Sequence, residues 1–199
     1  LVPYFESLGV GALYFSPYFK AVGGPTSGYD ATHPNRLNPE LGGAVEYDLL
    51  CSRLQAAGIG HVVDFVPNHM GIARGENPYW SDVLEHGRAS RYAEWFDIDW
   101  RPLKAELQGK VLLPLLGDFY GRVLETGQLK LGFTAGRFHL ECRGCRFPAA
   151  PASWPMVLEH GLEEFSGEAP DELEELREAI ALAKRGEGEA SSRRLAALG

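Results

Sequence analysis

The stretch VVDFVPNH, from Val62 to His69, restricts the fold of this chain more than any other segment. Val62, Val63, Phe65 and Val66 predict a buried parallel strand, because β-branched and aromatic residues occupy both of its faces. Asp64 interrupts that run, and an unpaired carboxylate in an apolar strand costs several kcal/mol or more. It must meet a partner, meet a ligand, or lie at the strand's open end. Pro67 has no backbone donor and cannot continue a central strand, so the chain leaves the sheet there. Asn68 and His69 then fall on the loop past the strand's carboxyl end, where α/β folds keep their sites.

The flanking segments extend this pattern. VPYFESLGVGALYFSPYF reads as the end of a helix, a turn at Gly9 to Gly11, and a strand from Ala12 to Phe15. In GGAVEYDLLCSRLQAAGIG, Val45, Leu49, Leu50, Leu54 and Ala57 recur at helical spacing, and Gly58 is a stop signal. Helix, strand, long loop, helix, strand is the grammar of β/α units around a parallel sheet. After His69 the texture changes. Residues 76–155 are rich in Trp, Tyr, Pro and Gly, and the runs KVLLPLLG, QLKLGFTAGRFHLEC and WFDIDW predict small strands and turns. Asp171 to Lys184 predicts an amphipathic helix with Leu173, Leu176, Ile180 and Ala183 on one stripe. A break around Gly186 to Glu189 precedes a last short helix, SSRRLAAL.

The fold class expected is α/β: a partial (β/α)8 TIM barrel with an inserted, mixed α+β subdomain after the DFVPNH strand. Residues 1–75 are assigned to the barrel and 76–199 to the inserted subdomain with its C-terminal helices. A whole barrel takes eight strand-helix units and about 250 residues. This sequence of 199 residues offers two recognisable barrel strands.

Charge and cysteines narrow the function. A net charge of -8 argues against a phosphate-binding surface, and no basic stripe interleaved with aromatics is present, so no nucleic-acid partner is expected. The acidic run from Glu159 to Glu178 reads as a solvated helix face. No apolar run approaches the roughly 18 residues of a membrane span, and no signal peptide is visible, although the chain opens at Leu1 rather than Met. Three cysteines suit a reducing cytoplasm. Cys142 and Cys145 form one CxxC, but FHLECRGCRFP reads as a hairpin strand and turn. Neither a zinc site nor a redox motif is expected there.

Several residues could carry chemistry. In the loop GGPTSGYDATHPNRLNPELGG, Gly28 permits close backbone approach and displays Tyr29 at the strand end. A sugar ring stacks its C–H face on such an aromatic surface, while its hydroxyls need polar neighbours. Asp30, Asp64, Asn68 and His69 could supply them. The plainer alternative has Tyr29 packed under the loop, Asp30 capping a turn and His69 serving structure alone. Trp80, Trp95, Phe96 and Trp100 fit either a sugar platform or the core of a small subdomain. No metal or cofactor is expected, because no second ligand stands at i+4 from His69.

GYD after one strand, then NPELGG, then DFVPNH closing the next, resembles the α-amylase superfamily of glycoside hydrolases. NPYWSDVLEHGRASRYAEWFDIDW, KVLLPLLGDFYG and RFPAAPASWP are similar to one branch of it, the maltooligosyl trehalose synthases, from Leu1 to about Pro155. The resemblance implies a cytoplasmic enzyme of trehalose biosynthesis, a (1→4)-α-D-glucan 1-α-D-glucosylmutase. Such an enzyme turns the reducing-end α-1,4 linkage of a maltooligosaccharide into an α,α-1,1 linkage by intramolecular transglucosylation. It further implies that Tyr29 stacks on the sugar at the cleavage point and His69 hydrogen-bonds that sugar. Asp64 would hold the site through an arginine elsewhere in the barrel, and Asn68 would steady the loop.

Ser27 stands where the family often has His, and His33 where it commonly has Asp. The larger departure concerns bond-making groups. Retaining chemistry on an α-glucoside needs two carboxyl groups about 5–5.5 Å apart. The family's nucleophile lies in an RxDH-like strand end, and no Arg-x-Asp occurs in this sequence. Catalytic residues are therefore expected beyond Gly199, with the chain inactive by itself and the remainder of the barrel as its partner. The alternatives are an amylase-type hydrolase of α-1,4-glucans and a non-catalytic glucan-binding module.

Overall fold

A computed structural model describes residues 1–24, 27–164 and 170–198, without the side chains of residues 163, 164, 170 and 172. The chain divides into two compact units, Leu1–Pro78 and Tyr79–Gly199.

In the first unit, helix α1 (Val2–Ser7) starts with a proline in its opening turn, where the missing N–H costs nothing. Gly9, at φ 72°, reverses the chain into strand β1 (Ala12–Phe15). Strands β2 (Phe19–Ala21) and β3 (Ala31–Leu37) follow as an antiparallel pair within the segment expected to be a long loop. Periodicity missed β3 because Pro34 interrupts it. The register is irregular, pairing Phe19 with Leu37 and Lys20 with His33, and that bulge absorbs a residue without an N–H.

Helix α2 (Gly43–Ala56) carries Glu46 in its first turn and Arg53 in its last, both favourable to the helix dipole. Gly58, at φ 65°, ends it, and strand β4 (Gly60–Val63) returns parallel to β1. The register runs from Ala12↔Gly60 to Phe15↔Val63, and the Asp64 N–H extends the ladder by donating to the Phe15 carbonyl at 2.9 Å. This is a β-α-β unit.

The expectation of a strand buried on both faces needs correction. Phe65 and Val66 lie beyond β4, and Val62, Val63 and Phe65 are exposed. Among the described residues β4 pairs with β1 alone, and α2 covers one face of the pair. On that face His61 meets Tyr18 Oη at 3.0 Å and Cys51 Sγ at 3.9 Å, both half-buried. Of the predicted apolar stripe on α2, Leu54 is 1% exposed while Val45 is 77% exposed.

The second unit mixes helices and sheet. Helix α3 (Pro78–His86) opens it and buries Trp80 and Val83. Trp80 packs on Phe96 with ring centroids 4.8 Å apart, whereas Trp95 is exposed and lies beside Tyr79 and Tyr92. Helix α4 (Tyr120–Glu125) buries Val123. KVLLPLLG and WFDIDW are not strands, contrary to expectation. Pro114 removes a ladder donor from the first. In the second, a 3-10 turn at Ala93–Trp95 and an Asp99 side chain accepting from the Arg101 N–H replace extended pairing.

Strands β5 (Leu129–Thr134), β6 (Arg137–Cys142) and β7 (Cys145–Pro148) form an antiparallel meander. Ala135-Gly136 and Arg143-Gly144 are two-residue turns with positive φ at both positions, the form that matches strand twist. The CxxC is thus a hairpin, with Cys142 opposite Cys145 and all three cysteines free.

Helices α5 (Trp154–Glu164), α6 (Pro170–Lys184) and α7 (Gly188–Ala197) complete the unit. The break before α7 is shorter than expected, since the helix already begins at Gly188. Trp154, Leu158, Ala179, Ile180 and Leu195 form the core, with Phe138 and Leu176 packed against it. The Trp154 indole N–H donates to the Ala149 carbonyl at 2.9 Å, which pays the polar cost of complete burial. Glu174, Glu175 and Glu178 are exposed as predicted for the acidic face, the latter two paired with Arg194. The part of that acidic run at residues 163–170 and 172 lies outside the described side chains.

Candidate functional site

Strands β1 and β4 end side by side, and the carboxylate of Asp64 stands at that end. The register places Tyr14 opposite Val62, and Asp64 is two residues further along, so Tyr14 and Asp64 share a face. That face is opposite the one α2 covers. The Tyr14 hydroxyl donates to Asp64 Oδ2 at 2.5 Å, and the Tyr29 hydroxyl donates to the same oxygen at 2.7 Å.

These donors set the electrostatics. Asp64 is held below the ordinary carboxyl value by the hydrogen bonds from Tyr14 and Tyr29, against a smaller opposing effect of desolvation. Reciprocally, the hydrogen bond to Asp64 pushes the Tyr14 phenol up to about 12. What meets Asp64 among the described residues is therefore a pair of phenols; an arginine was expected from elsewhere in a barrel.

Tyr29 reaches this position because of Gly28. Gly28 is buried at φ 83°, and a Cβ there would lie 2.8 Å from the Pro17 carbonyl oxygen. Only glycine combines that φ with so close a backbone approach. Tyr29 remains 39% exposed, so it is not packed under its loop.

His69 closes the arrangement. Its Nε2 lies 2.9 Å from the Tyr29 carbonyl oxygen, which can only accept, so Nε2 carries the proton. Its Nδ1 lies 2.8 Å from Asn68 Oδ1. The loop between β2 and β3 and the segment after β4 are thereby clasped at Tyr29.

Asp30 behaves differently. Its backbone carbonyl accepts from the Val22 N–H at 3.2 Å. Its Oδ1 is buried without a hydrogen-bond partner among the described residues. No hydrogen bond joins its carboxylate to Tyr29, Asp64, Asn68 or His69. Gly71 presses on the same segment, since a Cβ there would lie 2.4 Å from the Asp30 carbonyl oxygen. Ser27 is exposed, and His33 sits in β3 with its imidazole lowered by burial and by Arg36 and Lys20.

Tyr14 is the member that sequence reading missed. The signal lay in the strand register, since a residue of β1 on the face of Asp64 is its natural neighbour. Among the described residues no group of three or more His, Cys, Asp or Glu converges to hold a metal. The site offers an aromatic face, one firmly anionic carboxylate and a fixed imidazole-amide pair. It can hold and orient a polyhydroxylated ring. No second carboxyl is hydrogen-bonded into it among the described residues.

The family model for the alpha amylase catalytic domain matches residues 1–122. The chain belongs to that family, and its β-α-β unit is part of the (β/α)8 barrel that defines the class. Within it, the chain is 49% identical over 120 residues to a putative maltooligosyl trehalose synthase of Mycobacterium tuberculosis, covering 59% of this chain and 15% of that protein. It is 36% identical over 95 residues to the intracellular maltogenic amylase of Bacillus subtilis, covering 48% of this chain and 15% of that one. The structure of maltooligosyltrehalose synthase from Arthrobacter ramosus superposes with a TM-score of 0.63 at 36% identity, covering 75% of this chain and 18% of that one. The chain thus spans about 15% of the length of the curated relatives it matches.

Proposed function

We propose that this chain is the N-terminal part of a maltooligosyl trehalose synthase, with residues 76–199 forming a subdomain inserted into its barrel. The whole enzyme converts the reducing-end α-1,4 linkage of a maltooligosaccharide to α,α-1,1 by intramolecular transglucosylation. In this reading Tyr29 stacks on the sugar at the point of cleavage. Asp64 fixes Tyr29 through its hydroxyl, and His69 and Asn68 fix it through its backbone while leaving polar edges for sugar hydroxyls. Asp30 supports the loop beneath. The bond-making carboxylates come from sequence beyond Gly199, so the chain binds glucan without converting it. Three free cysteines fit a reducing, cytoplasmic setting.

One observation carries the reading: hydrogen bonds join Tyr29, Asp64, Asn68 and His69 into one cluster just past the carboxyl end of parallel strand β4. Barrel enzymes place their substrates at that end. The 49% identity to the synthase against 36% to the maltogenic amylase favours the glucosylmutase over the amylase-type hydrolase. The test is incubation of the chain with maltopentaose. The account expects saturable binding with reducing ends unchanged; conversion to a non-reducing product, or no binding at all, overturns it.

A further inference from the structure

The second unit contains a cleft of about 850 Å³ whose lining shares no residue with the site around Tyr29 and Asp64. Arg88, Lys110 and Arg193 line it, together with Trp100. None of these three cations makes an ion pair among the described residues; Arg193 only lends its field to Glu189. This contrasts with Lys184, Arg185 and Arg194 on the nearby helices, each of which has a carboxylate partner. The lining carboxylates are already engaged. Glu85 and Glu189 both pair with Arg137, and Glu187 pairs with Arg185 at 2.8 Å.

The lining itself sets three cations against three carboxylates, Glu85, Glu187 and Glu189; with Arg137 and Arg185, which hold those carboxylates, cations exceed them five to three in a chain whose net charge is -8. Sequence reading argued against a phosphate-binding surface from that total. It could not see the cluster, because its three cations are scattered along the chain and meet only in the fold. Trp100 is the second anomaly. It is half-buried, yet it stacks on no aromatic ring among the described residues, unlike Trp80 and Trp95. The lining carboxylates that could accept from saccharide hydroxyls are already held by Arg137 and Arg185, whereas the three cations are not so held. Unpaired cations beside a free aromatic face suit an anion carried on a flat or faceted ring.

We propose that this cleft binds a small phosphomonoester borne on a ring, with the phosphate among Arg88, Lys110 and Arg193 and the ring against Trp100. A sugar phosphate and a nucleoside monophosphate share that chemistry. The site stands independently of the glucan reading, since it uses none of the same residues.

The test titrates the 199-residue chain with glucose 6-phosphate, AMP and maltose, followed by calorimetry and by amide shifts. At least one phosphorylated ligand should bind with Kd of about 1 mM or tighter and weaken as salt rises. The exposed pair Lys110→Ala and Arg193→Ala should cost about tenfold or more without moving the melting temperature, and Lys110→Arg should retain binding. Trp100→Ala should weaken the favoured ligand as well. Failure of both phosphorylated ligands to bind below about 10 mM overturns the proposal. So does unchanged affinity in the double variant, or equal occupancy of the cleft by maltose.

Discussion

Tyr29 and Asp64, 35 residues apart in the chain, are joined by a 2.7 Å hydrogen bond from phenol to carboxylate. Tyr29 lies on the loop between β2 and β3, placed by Gly28, and Asp64 directly follows strand β4. The bond turns two separate loops into one surface. Because Tyr14 donates to the same carboxylate oxygen, Asp64 is the hub and the two phenols are its spokes.

The hub predicts a titration. Asp64 lies below its ordinary 3.8 because it accepts first from Tyr14 and then from Tyr29. Replacing Tyr14 by Phe should raise the Asp64 value, and adding Tyr29→Phe should raise it further. Carboxyl carbon NMR against pH measures this directly. A carboxyl depressed on folding stabilises the fold fully above its unfolded value and loses that contribution as pH falls through the folded value. The native chain should therefore resist acid further below pH 3.8 than Tyr14→Phe does. Identical Asp64 titration in both proteins would refute the hydrogen bond.

Glycine at position 28 predicts a backbone effect. Gly9 and Gly28 both have positive φ, but a Cβ meets nothing within 4 Å at Gly9 and the Pro17 carbonyl at 2.8 Å at Gly28. Gly9→Ala should cost about 1–2 kcal/mol for the left-handed conformation alone. Gly28→Ala should cost at least about 1 kcal/mol more, because the loop must also move. Urea unfolding of the two variants gives the comparison; equal losses would remove the steric argument.

Helix α2 predicts an asymmetry along its apolar stripe. Leu54 is 1% exposed, so Leu54→Ala should destabilise by about 2–5 kcal/mol through lost burial and a residual cavity. Val45 is 77% exposed, and Val45→Ala should fall within about 0.5 kcal/mol of the parent. The midpoint shifts in denaturant separate these cases. A large loss at Val45 would mean that this surface is covered in solution.

Much of this was legible in the sequence, for identifiable reasons. The parallel pair β1 and β4 was readable because Gly9 and Gly58 punctuate strong periodicity, and the CxxC hairpin because Arg143-Gly144 fits a two-residue turn. Helix α6 was readable from its Leu173, Leu176, Ile180 and Ala183 stripe. The β2-β3 pair was not, since Pro34 and the bulge hide its alternation. KVLLPLLG misled because apolar content mimics a strand even where Pro114 forbids the ladder. At the site, Tyr29, Asp64, Asn68 and His69 followed from spacing and resemblance. Tyr14 needed the strand register, which no local pattern encodes.

The central claim is that the rim built on Tyr29 grips a glucan ring. The most direct measurement is maltopentaose binding to the native chain, Tyr29→Phe and Tyr29→Ala, followed by amide shifts. The account predicts saturable shifts at Tyr29 and His69 and an affinity loss of about tenfold in Tyr29→Ala, the value of one aromatic contact, with Tyr29→Phe in between. Undiminished binding by Tyr29→Ala, with shifts confined to other residues, would contradict it.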